Sequence, residues 1–536
     1  MSNEPIPAAD RWPKQIKYIV GNEACERFSY YGMRSILAGY VTGAVLKGGL
    51  GQTDDYATEL IHIFVFVNYF MPLFGAWLSD KIIGRYHTIL WVSLFYCAGH
   101  GVLACSGFTH SVHGQMMCLW GGLALIAFGS GGIKPCVSAF MGDQFRPEQS
   151  HLLQKAYGAF YWSINFGSFF SFLVIPWIKD HYGYSPAFAV PGILMAIATF
   201  VFWLGTKYYV RVAPTRETRH AGFFKVYFAA IAAGPEHSAT AVINLMATLG
   251  LPGLALVLMT WQAFSANETL IKTLGWTALG CIALWYLLVL VLSLARKTQL
   301  PDSFWQKAAR AHDAKEIAAA RTFNPILFVF AFIPIFFSLF DQTNTTWVLQ
   351  GQKMTPVHVL GYSVGAEEMQ SMNPLIVMIL VPLFTWVIYP RIGRLAAPLT
   401  RMTMGMFLAA ASYVVVAALQ LQIEHGQAVC VLWQTLPYFI LTSAEVLVST
   451  TGLEFAFREA APEMKSIIMG FWLVAIAFGD LVVAVVTKLL SNAAGNASVS
   501  SGRFLQYAGL TFVVAILFTV VAAFYRYQDQ EAAKGK

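Results

Sequence analysis

The stretch Gly21 to Arg34, GNEACERFSYYGMR, sets two acids and two arginines inside an otherwise apolar run from Ile16 to Val45. Carboxylates there could take up and release a proton, and guanidinium groups could hold an anion. At about 100° per residue, Glu23, Glu26, Arg27, Tyr30, Tyr31 and Arg34 share an arc of roughly 140° on one helix. The opposite face carries Ala24, Cys25, Phe28, Gly32 and Ile36. A charge at the centre of a membrane-spanning helix costs about 2.5–3.5 kcal/mol on insertion scales, so these four must face partners or water. A packing ion pair would need one acid and one base, whereas this polar stripe runs on for three turns.

Further polar groups lie in apolar surroundings. Lys134 sits in GSGGIKPCVSAFMGDQF (129–145), a glycine-rich stretch broken by Pro135. The spacing of a phosphate-binding loop is absent. Glycines let helices approach closely, and a buried ammonium there needs an acid, for which Glu23 or Glu26 is the expected supply. Asn165 lies in FYWSINFGS, Asp341 ends FVFAFIPIFFSLF, Asn373 opens an apolar segment, and Glu445 sits in FILTSAEVLVSTTGL. Each asparagine could bridge helices or contact a ligand. Glu445 has no base nearby on its own segment.

The elements that must position these groups are membrane helices. Of 536 residues 57% are hydrophobic and only 12% charged, where soluble chains average about 25% charged, and mean hydropathy is +0.57. With about 20 apolar residues per crossing, spans are expected near 16–43, 58–80, 87–107, 116–140, 153–177, 185–206, 241–263, 271–295, 323–349, 371–390, 402–421, 428–451, 466–490 and 504–525. The fold class is therefore all-α, with fourteen transmembrane helices. Lys and Arg cluster in every second connection: at Arg11, Lys14 and Lys17, at 81–85, 207–220, 296–321, 391–401 and 458–465, and at the C-terminus. By the positive-inside rule both termini are cytoplasmic. The net charge of +7 is thus a topology signal, and no nucleic acid is implied.

Segment 207–240 reads as a polar basic linker, and 296–322 as a cytoplasmic amphipathic helix with Lys307, Arg310, Lys315 and Arg321. Between them, spans 241–263 and 271–295 carry almost no ionisable residue and read as a lipid-facing insertion dividing six spans from six. The expected organisation is a six-helix bundle over 1–206, linkers with an inserted two-helix hairpin over 207–322, and a second bundle over 323–536. The seven cysteines lack disulfide or metal spacing, so neither bridges nor a metal site is expected. The polar N-terminus lacks a small-residue cleavage site, and no removable signal peptide is expected.

The loop GAWLSDKIIGRY (75–86), with Gly75, Asp80, Gly84 and Arg85, resembles the cytoplasmic-loop motif of the major facilitator superfamily. Glu23-Ala-Cys-Glu26-Arg27-Phe28-Ser-Tyr30-Tyr31 resembles the ExxERFxYY signature of its proton-coupled oligopeptide transporter family. GSGGIKPCVSAFMGDQF and FYWSINFGS resemble two further signatures in the right order. HIFVFVNYFMP, FDQTNTTW and TSAEVLVSTTGLEF are closer to animal intestinal-type members than to many bacterial ones.

The resemblance implies that Arg27 and Lys134 receive the peptide carboxylate. Asn165, Asn373 and Glu445 would hold the amino group, and Tyr30, Tyr31, Tyr69 and Trp472 would line the pocket. It assigns Glu23, Glu26, His62 and Asp341 to proton coupling, and Arg34 with Asp341 to an inter-domain gate. Many bacterial relatives carry Glu at the position of Asp341, and Phe337 stands where a pocket tryptophan is common.

A zwitterionic di- or tripeptide needs a basic and an acidic pole, which Arg27 with Lys134 and Glu445 supply. The expectation is a proton-coupled symporter of di- and tripeptides in the cell (inner) membrane, working by alternating access. Its partners are peptides, protons and the lipid bilayer; no cofactor or metal is implied. The alternatives are the same fold carrying nitrate or another small anion, against which Glu445 speaks, and a non-transporting peptide sensor. No catalytic spacing such as HExxH or GxSxG is present, so an enzyme is not expected.

Overall fold

Apolar windows long enough to cross a bilayer become helices that overrun them by a few residues at each end, because capping side chains sit in the interfacial turns. Thr53, Ser111, Asn267 and Ser500 each accept a hydrogen bond from a backbone N–H three residues on, satisfying donors that the helix leaves free. The structure is a computed structural model that describes residues 12–109, 111–146, 149–214, 223–233, 239–359, 361–393, 397–461, 464–491 and 497–527.

The first six long helices are α1 (Ile16–Thr42), α2 (Asp54–Ile83), α3 (Arg85–Phe108), α4 (Val112–Gly142), α5 (Ser150–Tyr182) and α6 (Tyr184–Lys207). A shorter helix, α7 (Phe223–Ala233), precedes α8 (Ala239–Phe264) and α9 (Glu268–Leu294). Then come α10 (Asp302–Ala308), α11 (Ala314–Phe330), α12 (Ile333–Gly351), α13 (Glu368–Ile388), α14 (Pro398–Glu424), α15 (Val431–Glu459), α16 (Lys465–Leu490) and α17 (Ser501–Phe524). Twelve helices among the described residues are long and apolar enough to span a membrane. The bent pair α11 and α12 supplies a thirteenth crossing. The 27 residues of α1 reach about 40 Å, and its charges alone distinguish it from the rest, so fourteen crossings are present as expected.

Helix α1 packs between α5 and α6, α3 lies along α4 and α6, and α2 lies between α4 and α16. The contact of α2 with α4 is backbone to backbone: a Cβ on Gly75 would collide with the carbonyl of Gly132. The α8–α9 hairpin packs against α16 and α17, while Val257, Trp261, Trp276 and Leu287 on its other sides are exposed. It is the lipid-facing insertion the sequence implies.

Four features depart from expectation. The ninth span breaks by 43° between Phe330 and Ile333, where Pro334 removes a backbone donor at the start of the second half. The single amphipathic helix over 296–322 is instead α10 plus the first turns of α11, which run directly into the membrane span. Within the linker 207–240, α7 forms and buries Val226, Tyr227 and Ala230. A small antiparallel hairpin, β1 (Val357–Val359) with β2 (Tyr362–Val364), has no periodicity long enough to announce it. Arg11, residues 215–220 and the last nine residues of the chain lie outside the described residues.

Candidate substrate and proton site

The polar stripe of α1 is a connected ion cluster. Arg27 Nε lies 2.7 Å from Glu23 Oε1 and 2.9 Å from Glu26 Oε2. Ser130 Oγ on α4 donates to Glu26 Oε1 at 3.4 Å. Both carboxylates are buried, and the Arg27 side chain keeps 13% exposure.

Lys134 corrects the expectation that an acid of α1 would neutralise it, because both acids are already spent on Arg27. Its ammonium sits over the rings of Tyr30 and Tyr69, 4.5 and 4.6 Å from their centroids, and forms no ion pair among the described residues. A desolvated cation over an aromatic face gains about 2 kcal/mol, which offsets part of its burial. Asn68 Nδ2 donates to the Tyr30 hydroxyl at 2.9 Å, and Tyr31 packs edge-on against Tyr30. The two phenol rings thus hold Lys134 beside Arg27 without consuming its charge.

Arg34, two turns further along α1, pairs with Asp341 at 2.8 Å across 307 positions of sequence. Both side chains are almost fully buried. Beside them His62 Nδ1 lies 2.7 Å from Asp480 Oδ1, and His62 Nε2 lies 3.1 Å from Thr345 Oγ1. Sequence reasoning missed Asp480, although a lone acid inside FWLVAIAFGDLVVAVV was as costly a signal as Glu445.

Three more ion pairs reinforce this contact: Lys179 with Glu367 at 2.6 Å, Lys353 with Asp54 at 2.8 Å and Lys488 with Glu59 at 2.9 Å. Tyr362 of the β-hairpin donates its hydroxyl hydrogen to the Leu173 carbonyl at 2.6 Å. Together they tie α2 and α5 to segments more than 180 residues away at the membrane face opposite α10.

The acidic pole is a pair rather than a triad. Asn373 Nδ2 donates to Glu445 Oε2 at 2.7 Å and to Thr442 Oγ1 at 3.1 Å. Glu445 is followed by a π-helical turn over Val446–Thr450, an irregularity common at functional sites. Asn165 is not brought into this pair: its amide donates to the Tyr161 carbonyl of its own helix at 3.0 Å. Trp472 is 2% exposed, packed edge-on against Phe330 and Phe337 and seated over Gly452. It forms a wall of the aromatic packing.

Exposure sorts the residues. Arg27, Tyr31, Tyr69, Lys134, Asn373 and Glu445 are partly exposed, whereas Glu23, Glu26, Tyr30, Arg34, His62, Asn165, Asp341, Trp472 and Asp480 are buried. Charges able to meet a solute are therefore distinct from those that meet only each other.

Residues 86–501 match the model of the POT family. The chain is 32% identical over 432 residues to peptide transporter family 1 of Drosophila melanogaster, which is 79% of this chain and 49% of that protein. It is 31% identical over 436 residues to solute carrier family 15 member 2 of Homo sapiens, covering 78% of this chain and 51% of that protein. The chain thus spans about half the length of the curated relatives it matches. The in meso crystal structure of the POT family transporter PepTSo covers 96% of this chain and 99% of its own, with TM-score 0.80 and 37% identity. An auto-inhibited POT family peptide transporter matches at TM-score 0.79 and 37% identity, covering 96% of this chain and 98% of its own. The family model begins at residue 86, beyond the Glu23–Tyr31 stripe, which the structural matches at 96% coverage reach.

Proposed function

The chain belongs to the POT family, and from that premise we propose that it imports di- and tripeptides together with protons by alternating access. The observation that carries the reading is the separation of partly exposed charges into a basic pole, Arg27 with Lys134, and an acidic pole, Glu445 with Asn373. A zwitterionic peptide bridges two such poles, its carboxylate on Arg27 and Lys134 and its amino group on Glu445. Asn165 is assigned to the same end of the peptide, its amide turning from the Tyr161 carbonyl when substrate binds, and Trp472 bounds the side-chain pocket.

Electrostatic balance supports proton coupling. Glu23, Glu26, Arg27 and Lys134 together carry no net charge when all are ionised. A peptide carboxylate among them adds one negative charge in a region of low dielectric, where an unbalanced charge is costly. Protonating Glu23 or Glu26 restores neutrality and frees Arg27 for the carboxylate. Protonation of His62 or Asp341 then loosens the Arg34 gate, so that proton and peptide bias the same equilibrium.

In this reading, 1–206 and 323–536 are the moving bundles and 207–322 carries the inserted hairpin. The chain lies in the cell membrane with both termini cytoplasmic, and the closed face is the outer one. Reconstituted protein should accumulate labelled dialanine under an inward proton gradient. Accumulation of nitrate without dialanine would favour the small-anion alternative, and binding without accumulation of either would favour a sensor.

A further inference from the structure

A second charged site lies away from the polar stripe, where α9, α11 and α17 end at one membrane face. There a cavity of about 820 Å³ is lined by Arg296, Lys297, Arg321 and Arg526, with Asp302 and Phe524. Asp302 is committed to Arg321 at 3.0 Å, whereas Arg296, Lys297 and Arg526 form no ion pair among the described residues. Three cations thus share one cavity without an anion.

The turn that presents two of them is built rather than loose. Arg296 takes a left-handed backbone, φ 56°, which a non-glycine residue keeps only where its surroundings impose it. The buried Asn244 of α8 imposes it here, donating to the carbonyls of Lys297 at 2.9 Å and Gln299 at 3.4 Å. Asn244 in turn accepts from Asn324 Nδ2 at 2.5 Å, and Asn324 accepts from the Tyr227 hydroxyl at 2.6 Å. A chain of buried hydrogen bonds through α7, α8 and α11 therefore fixes where Arg296 and Lys297 stand. One turn into the membrane from these cations, Val291, Leu294 and Phe524 are exposed and offer an apolar track for acyl chains.

We propose that this cavity binds the phosphate of an anionic phospholipid headgroup, with the acyl chains lying along α9 and α17. Basic pockets between helix ends at the cytoplasmic side suit such headgroups, and the exposed apolar track selects a lipid over a free phosphate anion. The site gives the inserted hairpin a role, since lipid occupancy bears, through the α16 and α17 against which the hairpin packs, on the helix that carries Asp480 and Trp472. Lipid binding at this cavity is independent of peptide transport, and it can be read without measuring flux.

Full-length protein in neutral detergent is titrated with phosphatidylglycerol or phosphatidylcholine and followed by native mass spectrometry. Wild type should retain phosphatidylglycerol over phosphatidylcholine. Arg296→Ala/Lys297→Ala/Arg526→Ala should weaken that binding roughly a hundredfold, at about fivefold per surface cation. Arg310→Ala/Arg391→Ala, which removes charges on the same side outside the cavity, should leave it unchanged. Arg526→Glu, a single change at an exposed helix end, keeps the test decisive if the triple variant does not fold, and it too should weaken binding. Retention of phosphatidylglycerol by either cavity variant at the wild-type level would overturn the proposal. Displacement of the lipid by inorganic phosphate at equal concentration would equally overturn it, since the acyl track would then contribute nothing.

Discussion

Nδ1 of His62 and Oδ1 of Asp480 meet at 2.7 Å, neither side chain having any exposed surface, and they join α2 to α16 across 418 positions of sequence. The second carboxylate oxygen, Oδ2, has no partner. An acid held this way in a membrane interior is stabilised by carrying or sharing a proton.

Asp480→Asn keeps an acceptor for His62 while removing the ionisable group. Dialanine counterflow should persist in this variant, and accumulation driven by a proton gradient should fall to near background. Unchanged accumulation would remove Asp480 from the coupling route.

Arg34 and Asp341 should behave as a mutually dependent pair. Either Arg34→Ala or Asp341→Ala leaves a buried charge uncompensated, a loss of about 3–5 kcal/mol. The double variant should recover much of it. Thermal unfolding of the three variants in one detergent measures this, and additive losses would mean that the two groups do not depend on each other.

Glu445→Gln should weaken free-amino dipeptides far more than N-blocked ones in competition assays, because Asn373 and Thr442 can still hold the neutral amide in place. Equal losses for both peptide classes would reduce Glu445 to a helix-packing residue.

Gly75→Val should lower the melting temperature or abolish expression, because the new side chain meets the Gly132 backbone, which has no rotamer to yield. Overpacking of this kind costs about 1–3 kcal/mol. Gly101→Ala, with open space around it, is the matched control and should be silent.

The helical crossings are legible in the sequence because hydropathy alone forces them: the expected span 185–206 and its thirteen counterparts differ from the observed helices mainly by interfacial turns. The stripe of α1 is legible as a face for the same reason, since a helix fixes which residues share an arc. What sequence does not supply is the rotation and depth of one helix against another. An acid is the expected partner of Lys134, yet α4 points it between Tyr30 and Tyr69 because Arg27 already occupies Glu23 and Glu26. Arg34 and Asp341 are paired by family resemblance rather than by physics, and nothing in either segment encodes the other. Asp480 escapes notice although its cost in an apolar run marks it. The hairpin at Val357–Val364 escapes because three-residue strands carry no readable alternation.

Two acids on Arg27 also change what one substitution can do. Glu26→Gln leaves Glu23 bound to Arg27 at 2.7 Å, so this variant should keep part of its gradient-driven accumulation, while Glu23→Gln/Glu26→Gln should retain counterflow only. Arg27→Ala should lose both, since a charge-assisted hydrogen bond to the carboxylate contributes about 1.5–3 kcal/mol, roughly ten- to hundredfold in affinity. Full accumulation in the double acid variant would shift coupling to His62, Asp341 and Asp480.

The central claim, that peptide and proton move together, is tested most directly by watching the proton. Proteoliposomes loaded with a pH-sensitive dye and given no imposed gradient should acidify inside when dialanine is added outside, and should not respond to nitrate. Entry of labelled dialanine with no change in lumenal pH would contradict the account.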